Sequence, residues 1–119
     1  MRKPSVICDA GDVAVVPFPF SERPGTKRRP ALVLSSRTFN EAGHTVFAMI
    51  TTQGHDPWPG DVELRRHEEA GLLRPCIVRP KLFTLDNRLV LGRAGALAAG
   101  DRQAVRTAFH GVLGLLTAA

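Results

Sequence analysis

Lys27-Arg28-Arg29-Pro30-Ala31-Leu32-Val33-Leu34 sets three adjacent cations against a run of β-forming apolar residues. Pro30 restricts Arg29 to extended geometry, because a residue ahead of proline is disfavoured in the α region. The guanidinium is thereby presented from a stiff base where a loop becomes a strand. A second apolar run, Gly11-Asp12-Val13-Ala14-Val15-Val16-Pro17-Phe18-Pro19-Phe20, precedes it, and a third, Val46-Phe47-Ala48-Met49-Ile50-Thr51-Thr52, ends in paired hydroxyls. The pattern predicts strands at 12–18, 31–36 and 45–51, bounded by Pro, Gly or Ser.

Further along, Asp61-Val62-Glu63-Leu64-Arg65 alternates polar and apolar residues, as a strand with one wet face does. Pro57-Trp58-Pro59-Gly60 ahead of it is a loop, since two prolines remove ladder donors. More strands are predicted at 76–79 and 89–95, with Lys81 to Asp86 a helical turn or a strand end. Only the C-terminus reads as a helix. Val105, Ala108, Phe109, Val112 and Leu116 form one stripe, and Asp101 suits the positive end of the helix dipole. The expectation is one mainly β domain over 1–119: a small curled antiparallel sheet crossed by a C-terminal helix, with 1–10 as an extended arm.

A chain of 119 residues can bury roughly two thirds of its unfolded surface, enough for one core. With 44% apolar and 23% charged residues, whole-chain disorder is excluded as a description. The net charge is +5, and of 16 Lys and Arg only Lys3, Lys27 and Lys81 are lysine. Arginine suits sites that grip phosphate or carboxylate in a planar fork, so nucleic acid or an acidic protein is the implied partner; genomic composition can give the same bias. Cys8 and Cys76 define no disulfide framework and read as free thiols in a reducing compartment. No apolar stretch approaches the roughly 18 residues of a membrane span, and no secretory signal follows Met1-Arg2-Lys3-Pro4, so the expected location is the cytoplasm.

The loop Ser21-Glu22-Arg23-Pro24-Gly25-Thr26-Lys27-Arg28-Arg29 is strongly cationic. It reads either as a solvated hairpin tip or as a phosphate-tracking segment ending in the fixed Arg29. Thr51 is either a good β former or a hydroxyl that hydrogen-bonds a scissile phosphate beside Arg29. RNA carries its own nucleophile, the 2′-hydroxyl, so neither a metal nor a nucleophile from the protein is obligatory, and no cofactor is expected. His44, His55, His67 and His110 lack zinc-ligand spacing, and no pair of carboxylates suggests acid–base work. Trp58 is a candidate base-stacking platform or a lid over the barrel mouth. Arg79 and Lys81 extend the basic surface or are simply solvated.

Together these segments resemble the PemK/MazF family of type II toxins, which includes Kid. The likeness runs from Gly11 to about Leu116 and is carried by Gly11-Asp12-Val13, Arg29-Pro30-Ala31-Leu32-Val33 and Ile50-Thr51-Thr52-Gln53. Pro59-Gly60-Asp61-Val62-Glu63-Leu64 and Val78-Arg79-Pro80-Lys81-Leu82-Phe83-Thr84-Leu85-Asp86 are similar to the later strands of the family. The resemblance implies an SH3-like barrel, a homodimer and metal-independent, sequence-specific cleavage of single-stranded RNA to 2′,3′-cyclic phosphate and 5′-hydroxyl ends. It implies Arg29 and Thr51 as catalytic residues and places Arg79 where Kid-type members have a second active-site arginine; read from the residues themselves, Arg23, Lys27, Arg28, Gln53, Arg79 and Lys81 are the candidate RNA contacts. Kid-type members carry an aspartate two residues beyond their second arginine; here that position is Lys81, which leaves the general base unassigned. The loop before Arg29 lacks the Glu-Gln-x-Gly pattern of many relatives. An antitoxin with an acidic, disordered tail is the implied partner. The rival readings are a gyrase poison like CcdB, against which the absence of a C-terminal tryptophan argues, and a catalytically inert barrel that only binds nucleic acid or a partner.

Overall fold

A computed structural model describes residues 6–18, 27–54 and 56–116. Six antiparallel strands make one curled sheet in the order β4-β5-β3-β2-β1-β6. The strands are β1 (Asp12–Phe18), β2 (Lys27–Val33), β3 (His44–Thr52), β4 (Val62–Glu63), β5 (Cys76–Asp86) and β6 (Gly92–Ala96). Helix α1 (Arg37–Asn40) is a single turn, and α2 (Ala99–Leu113) follows the last strand. The result is a half-barrel with a C-terminal helix. Its two outer strands, β4 and β6, are brought together by the turn after β4, where Ala96 N–H donates to the Glu69 carbonyl at 3.4 Å.

Period-two alternation divides the core between the two faces of the sheet. Val13, Leu32, Ala48, Ile50 and Val78 point to one face, where Val105 and Phe109 of α2 cover them. Ala14, Val16, Ala31, Val33 and Phe47 point to the other, where Cys8, Leu85 and Val90 close one end. Phe47 is fully buried and stacks on Phe83 with ring centroids 5.4 Å apart. Cys8 and Cys76 are buried free thiols assigned to opposite faces.

Several boundaries differ from the sequence reading. β2 begins at Lys27, so Arg29 lies inside a strand, paired with Val16, and not at its junction with the loop. Lys81 to Asp86 continue β5 as strand; two additional β5 residues are accommodated where the register with β3 shifts between Ala48 and Met49. The stretch from Asp61 to Arg65 contributes only the two residues of β4. The 89–95 strand is displaced to 92–96 because Asn87–Leu89 form a short 3-10 turn. α2 ends at Leu113, and Gly114 adopts a positive φ of 68°, so Leu116 falls outside the helix and is fully exposed. The N-terminal arm is docked from Val6 onward, with Asp9 accepting from Arg37 N–H at 2.9 Å.

A polar network not foreseen in the sequence fixes the end of the sheet near α1. Asn40 donates to the Cys8 carbonyl at 2.8 Å, Asn87 donates to the Asn40 carbonyl at 2.6 Å, and Thr45 donates to Asn87 Oδ1 at 2.7 Å. All three side chains are buried, and each bond satisfies a group that would otherwise carry a desolvation cost. Asp101 is likewise buried and accepts from the backbone N–H groups of Arg65 and Arg66 at 3.0 and 2.9 Å, tying the first turn of α2 to the segment after β4.

Candidate functional site: a cationic cleft between β2 and β3

β2 and β3 pair only through Ala31–Met49, Leu32–Ala48 and Val33–Phe47. Pro30, the next residue toward the start of β2, has no N–H to donate, and the ladder stops there. Extending the register by two residues sets Arg29 opposite Thr51 across the resulting split. Both line one cleft of about 280 Å³, whose other walls include Val16, Phe18, Met49 and Phe83. The expected pair is therefore brought together from separate strands. Arg29 is exposed and Thr51 half-buried. Among the described residues no carboxylate forms an ion pair with Lys27, Arg28 or Arg29. A guanidinium with no carboxylate partner among the described residues, set beside aromatic and aliphatic walls, is well placed for an anion, because the walls weaken solvent screening.

The remaining candidates are distributed unevenly. Lys27 shares the face of Arg29 by strand alternation, whereas Arg28 projects to the opposite face with Leu32. Gln53 sits in the exposed turn directly after β3. Arg23 and His55 lie outside the described residues. Arg79 is not the free cation expected of an RNA contact: its Nε and Nη2 donate to the two oxygens of Asp61 at 3.0 and 2.9 Å, and Nη2 also donates to the Asp56 carbonyl at 2.9 Å. The cause is register. Continuing the β4–β5 ladder beyond Val62–Val78 places Asp61 opposite Arg79, so the pair forms between neighbouring segments of the sheet. Both side chains are about nine-tenths buried. The bond from Arg79 holds the Asp61 carboxyl below its ordinary pKa.

Trp58, read in the sequence either as a base-stacking platform or as packing over the barrel mouth, lies over this ion pair. The Arg79 Cζ is 5.2 Å and the Lys81 Nζ 5.9 Å from its ring centroid. Asp61 was missed because a lone carboxylate gives no sequence signal; its partner became visible only through strand register. None of the eight cleft-lining residues is a carboxylate or an imidazole. Among the described residues no three His, Cys, Asp or Glu side chains converge as metal ligands would. A larger groove of about 600 Å³ runs between α2 and β2, and it carries Arg102, Arg106 and His110 but no hydroxyl or carboxylate side chain. The β2–β3 cleft, which joins a cation to a hydroxyl, is the better candidate for anion chemistry. Among the described residues no helix is long and apolar enough to cross a membrane.

The family of PemK-like, MazF-like toxins of type II toxin–antitoxin systems matches residues 9–113. Among solved structures, a chain of the MazE–MazF complex from Deinococcus radiodurans is 25% identical with a TM-score of 0.72, over 92% of this chain and 98% of that one. An endoribonuclease in complex with its cognate antitoxin, from a mycobacterial species, is 19% identical with a TM-score of 0.70, over 91% and 96% of the two chains. An endoribonuclease from a mycobacterial species is 17% identical with a TM-score of 0.72, over 98% and 100%. The last two likenesses concern the fold alone. No curated protein matches by sequence. With the family profile covering nearly the whole chain, from the docked arm to the end of α2, the protein belongs to the PemK-like, MazF-like toxins of type II toxin–antitoxin systems.

Proposed function

We propose that this toxin is a metal-independent, sequence-specific endoribonuclease that cuts single-stranded RNA to 2′,3′-cyclic phosphate and 5′-hydroxyl ends, so arresting translation and growth. The observation that carries the reading is the convergence of Arg29 and Thr51 on one cleft. The 2′-oxygen of the substrate attacks the adjacent phosphorus and the bond to the 5′-oxygen breaks. The 2′-hydroxyl gives up its proton and the departing 5′-oxygen gains one. Negative charge accumulates on the non-bridging oxygens as the phosphorus becomes five-coordinate. Arg29 holds that charge, with its fork suited to two oxygens at once. The Thr51 hydroxyl donates to the same phosphate and fixes its orientation. Asp61 is poorly suited as the base, since a carboxylate held ionised by Arg79 has little proton affinity.

The named relatives include a toxin complex with MazE and an endoribonuclease with its cognate antitoxin. That likeness supports an antitoxin partner; we further infer that the protein works as a cytoplasmic homodimer and that the acidic, disordered tail of the antitoxin competes with RNA for the cationic cleft.

The test is primer-extension mapping of cuts in a long RNA by wild type and by Arg29→Ala. Wild type is expected to cut at a short recurring sequence, with or without EDTA. Arg29→Ala is expected to lose at least about a hundredfold in rate with its thermal melt unchanged. Equal cutting by the variant removes the proposal, and abolition by EDTA removes its metal-independent part.

A further inference from the structure

Residues 56–61, ahead of β4, hold an aromatic ring in the open on a hydrogen-bonded backbone. Trp58 is 43% exposed. Its backbone N–H donates to Asp61 Oδ2 at 2.8 Å, and its backbone carbonyl accepts from Asp61 N–H at 3.1 Å. Pro57 and Pro59 flank it, limiting the backbone on either side. Gly60 has a positive φ of 87°, and a Cβ there would lie 2.6 Å from Val112 Cγ2, so this loop is also packed against the end of α2. Asp61 is fixed in turn by two bonds from Arg79. A side chain that only filled space would rest on apolar neighbours; this indole rests beside a guanidinium and an ammonium.

The loop also lies beside the cleft. Arg79 is the cross-strand partner of Met49, a cleft-lining residue, and shares the sheet face of Arg29 and Thr51 by alternation. Neighbouring strands are about 4.8 Å apart. Arg29, Thr51 and Arg79 therefore occupy three successive strands, β2, β3 and β5, on a path leading to Trp58. A single strand crossing the sheet with one phosphate at Arg29 would bring a nearby base to the indole.

We propose that Trp58 is a nucleobase-stacking subsite that positions single-stranded RNA in the cleft. Lys81 covers the ring in the free protein and exchanges that contact for a flanking phosphate when a base arrives. Arg79 and Asp61 stay paired and keep the platform still. The inference rests on the endoribonuclease reading and adds to it the residue that holds the substrate next to the scissile phosphate. Stacking accepts any base, so Trp58 contributes grip and register more than sequence choice.

Trp58 is the chain's one tryptophan, so indole emission reports on it alone. The probe is a short mixed-sequence 2′-O-methyl oligoribonucleotide, which lacks the free 2′-hydroxyl and cannot be cut. Titration into the full-length wild-type protein is expected to quench the emission saturably, in step with the anisotropy of a 5′-labelled copy. Trp58→Ala is expected to weaken binding about 5- to 150-fold, with Trp58→Phe recovering part of the loss. On cleavable RNA the same variant should raise KM far more than it lowers kcat. Oligonucleotide binding with unchanged emission overturns the subsite, as does wild-type affinity in Trp58→Ala. If that variant does not fold, the wild-type titration decides. Cutting without quenching removes the subsite alone, quenching without cutting removes the nuclease reading alone, and absence of both binding and cutting removes both.

Discussion

At the scale of single residues, the end of the β2–β3 ladder leaves two side chains of modest intrinsic reactivity, Arg29 and Thr51, lining one cleft. The proposed role of Thr51 depends on that neighbour. Replacing Thr51 by valine keeps the shape and removes the donor. On the proposed mechanism Thr51→Val should lower kcat by about 100- to 1,000-fold, the range for losing one donor to transition-state charge, with a small change in KM. Thr51→Ser should retain most activity because the hydroxyl remains. Steady-state cleavage of a short fluorogenic RNA separates these cases; equal loss in both variants would mean that the methyl group matters and the hydroxyl does not. Gly11 is another residue whose identity is geometric. It has a φ of 94°, and a Cβ there would meet the Arg102 guanidinium, whose Nη1 donates to the Ala10 carbonyl at 2.9 Å. The Gly11-Asp12 pair is thus held by backbone conformation and close packing.

At the scale of elements, β4 and β5 are joined by an ion pair whose chemistry is testable with acid. Arg79 depresses the pKa of Asp61, and bonds from Arg88 lower that of Asp86 to about 2. A folded-state pKa below the unfolded one means that the unfolded chain binds more protons between the two values. The stabilisation is complete above about pH 4, near the unfolded carboxylate value, and drains away as pH falls through the lower folded values. Thermal melts from pH 6 down to 2 should therefore fall with a slope that Asp61→Asn reduces. An unchanged slope would show that the pair forms no tighter in the folded state than in the unfolded chain. This pair also marks where the sequence stopped being legible. Apolar runs located β1, the core of β2 and β3, because their periodicity and bounding prolines are local signals. The Arg29–Thr51 pairing was suggested by motif, and its geometric basis, the ladder ending at Pro30, is local too. The Asp61–Arg79 pair and the Asn40–Thr45–Asn87 network depend on register between distant segments, which no local pattern encodes. The one-turn helix Arg37–Asn40 was missed for a related reason: four residues carry too little periodicity, although the Ser36 cap does accept from Phe39 N–H at 3.3 Å.

At the scale of the whole molecule, the sheet sorts a net charge of +5 by face, and that sorting has a consequence for RNA. Alternation sends Lys27 and Arg29 toward the cleft and Arg28 away from it, although the three are consecutive. Lys81 joins the cleft side through its contact with Trp58. On the proposed binding mode, three cations facing one bound strand would release about three counterions' worth of condensed salt. For single strands each neutralised phosphate contributes about −0.7 to the slope of log Kobs against log salt, so the slope for an uncleavable oligonucleotide should be about −2. Lys27→Ala should make that slope shallower by about 0.7, whereas Arg28→Ala should leave it nearly unchanged. Total charge changes equally in the two variants, so a general attraction between a basic protein and RNA would affect both alike. Equal slopes in the two variants would show that RNA follows net charge and not the face of the sheet; a difference in the stated direction would trace the path of the strand past Arg29.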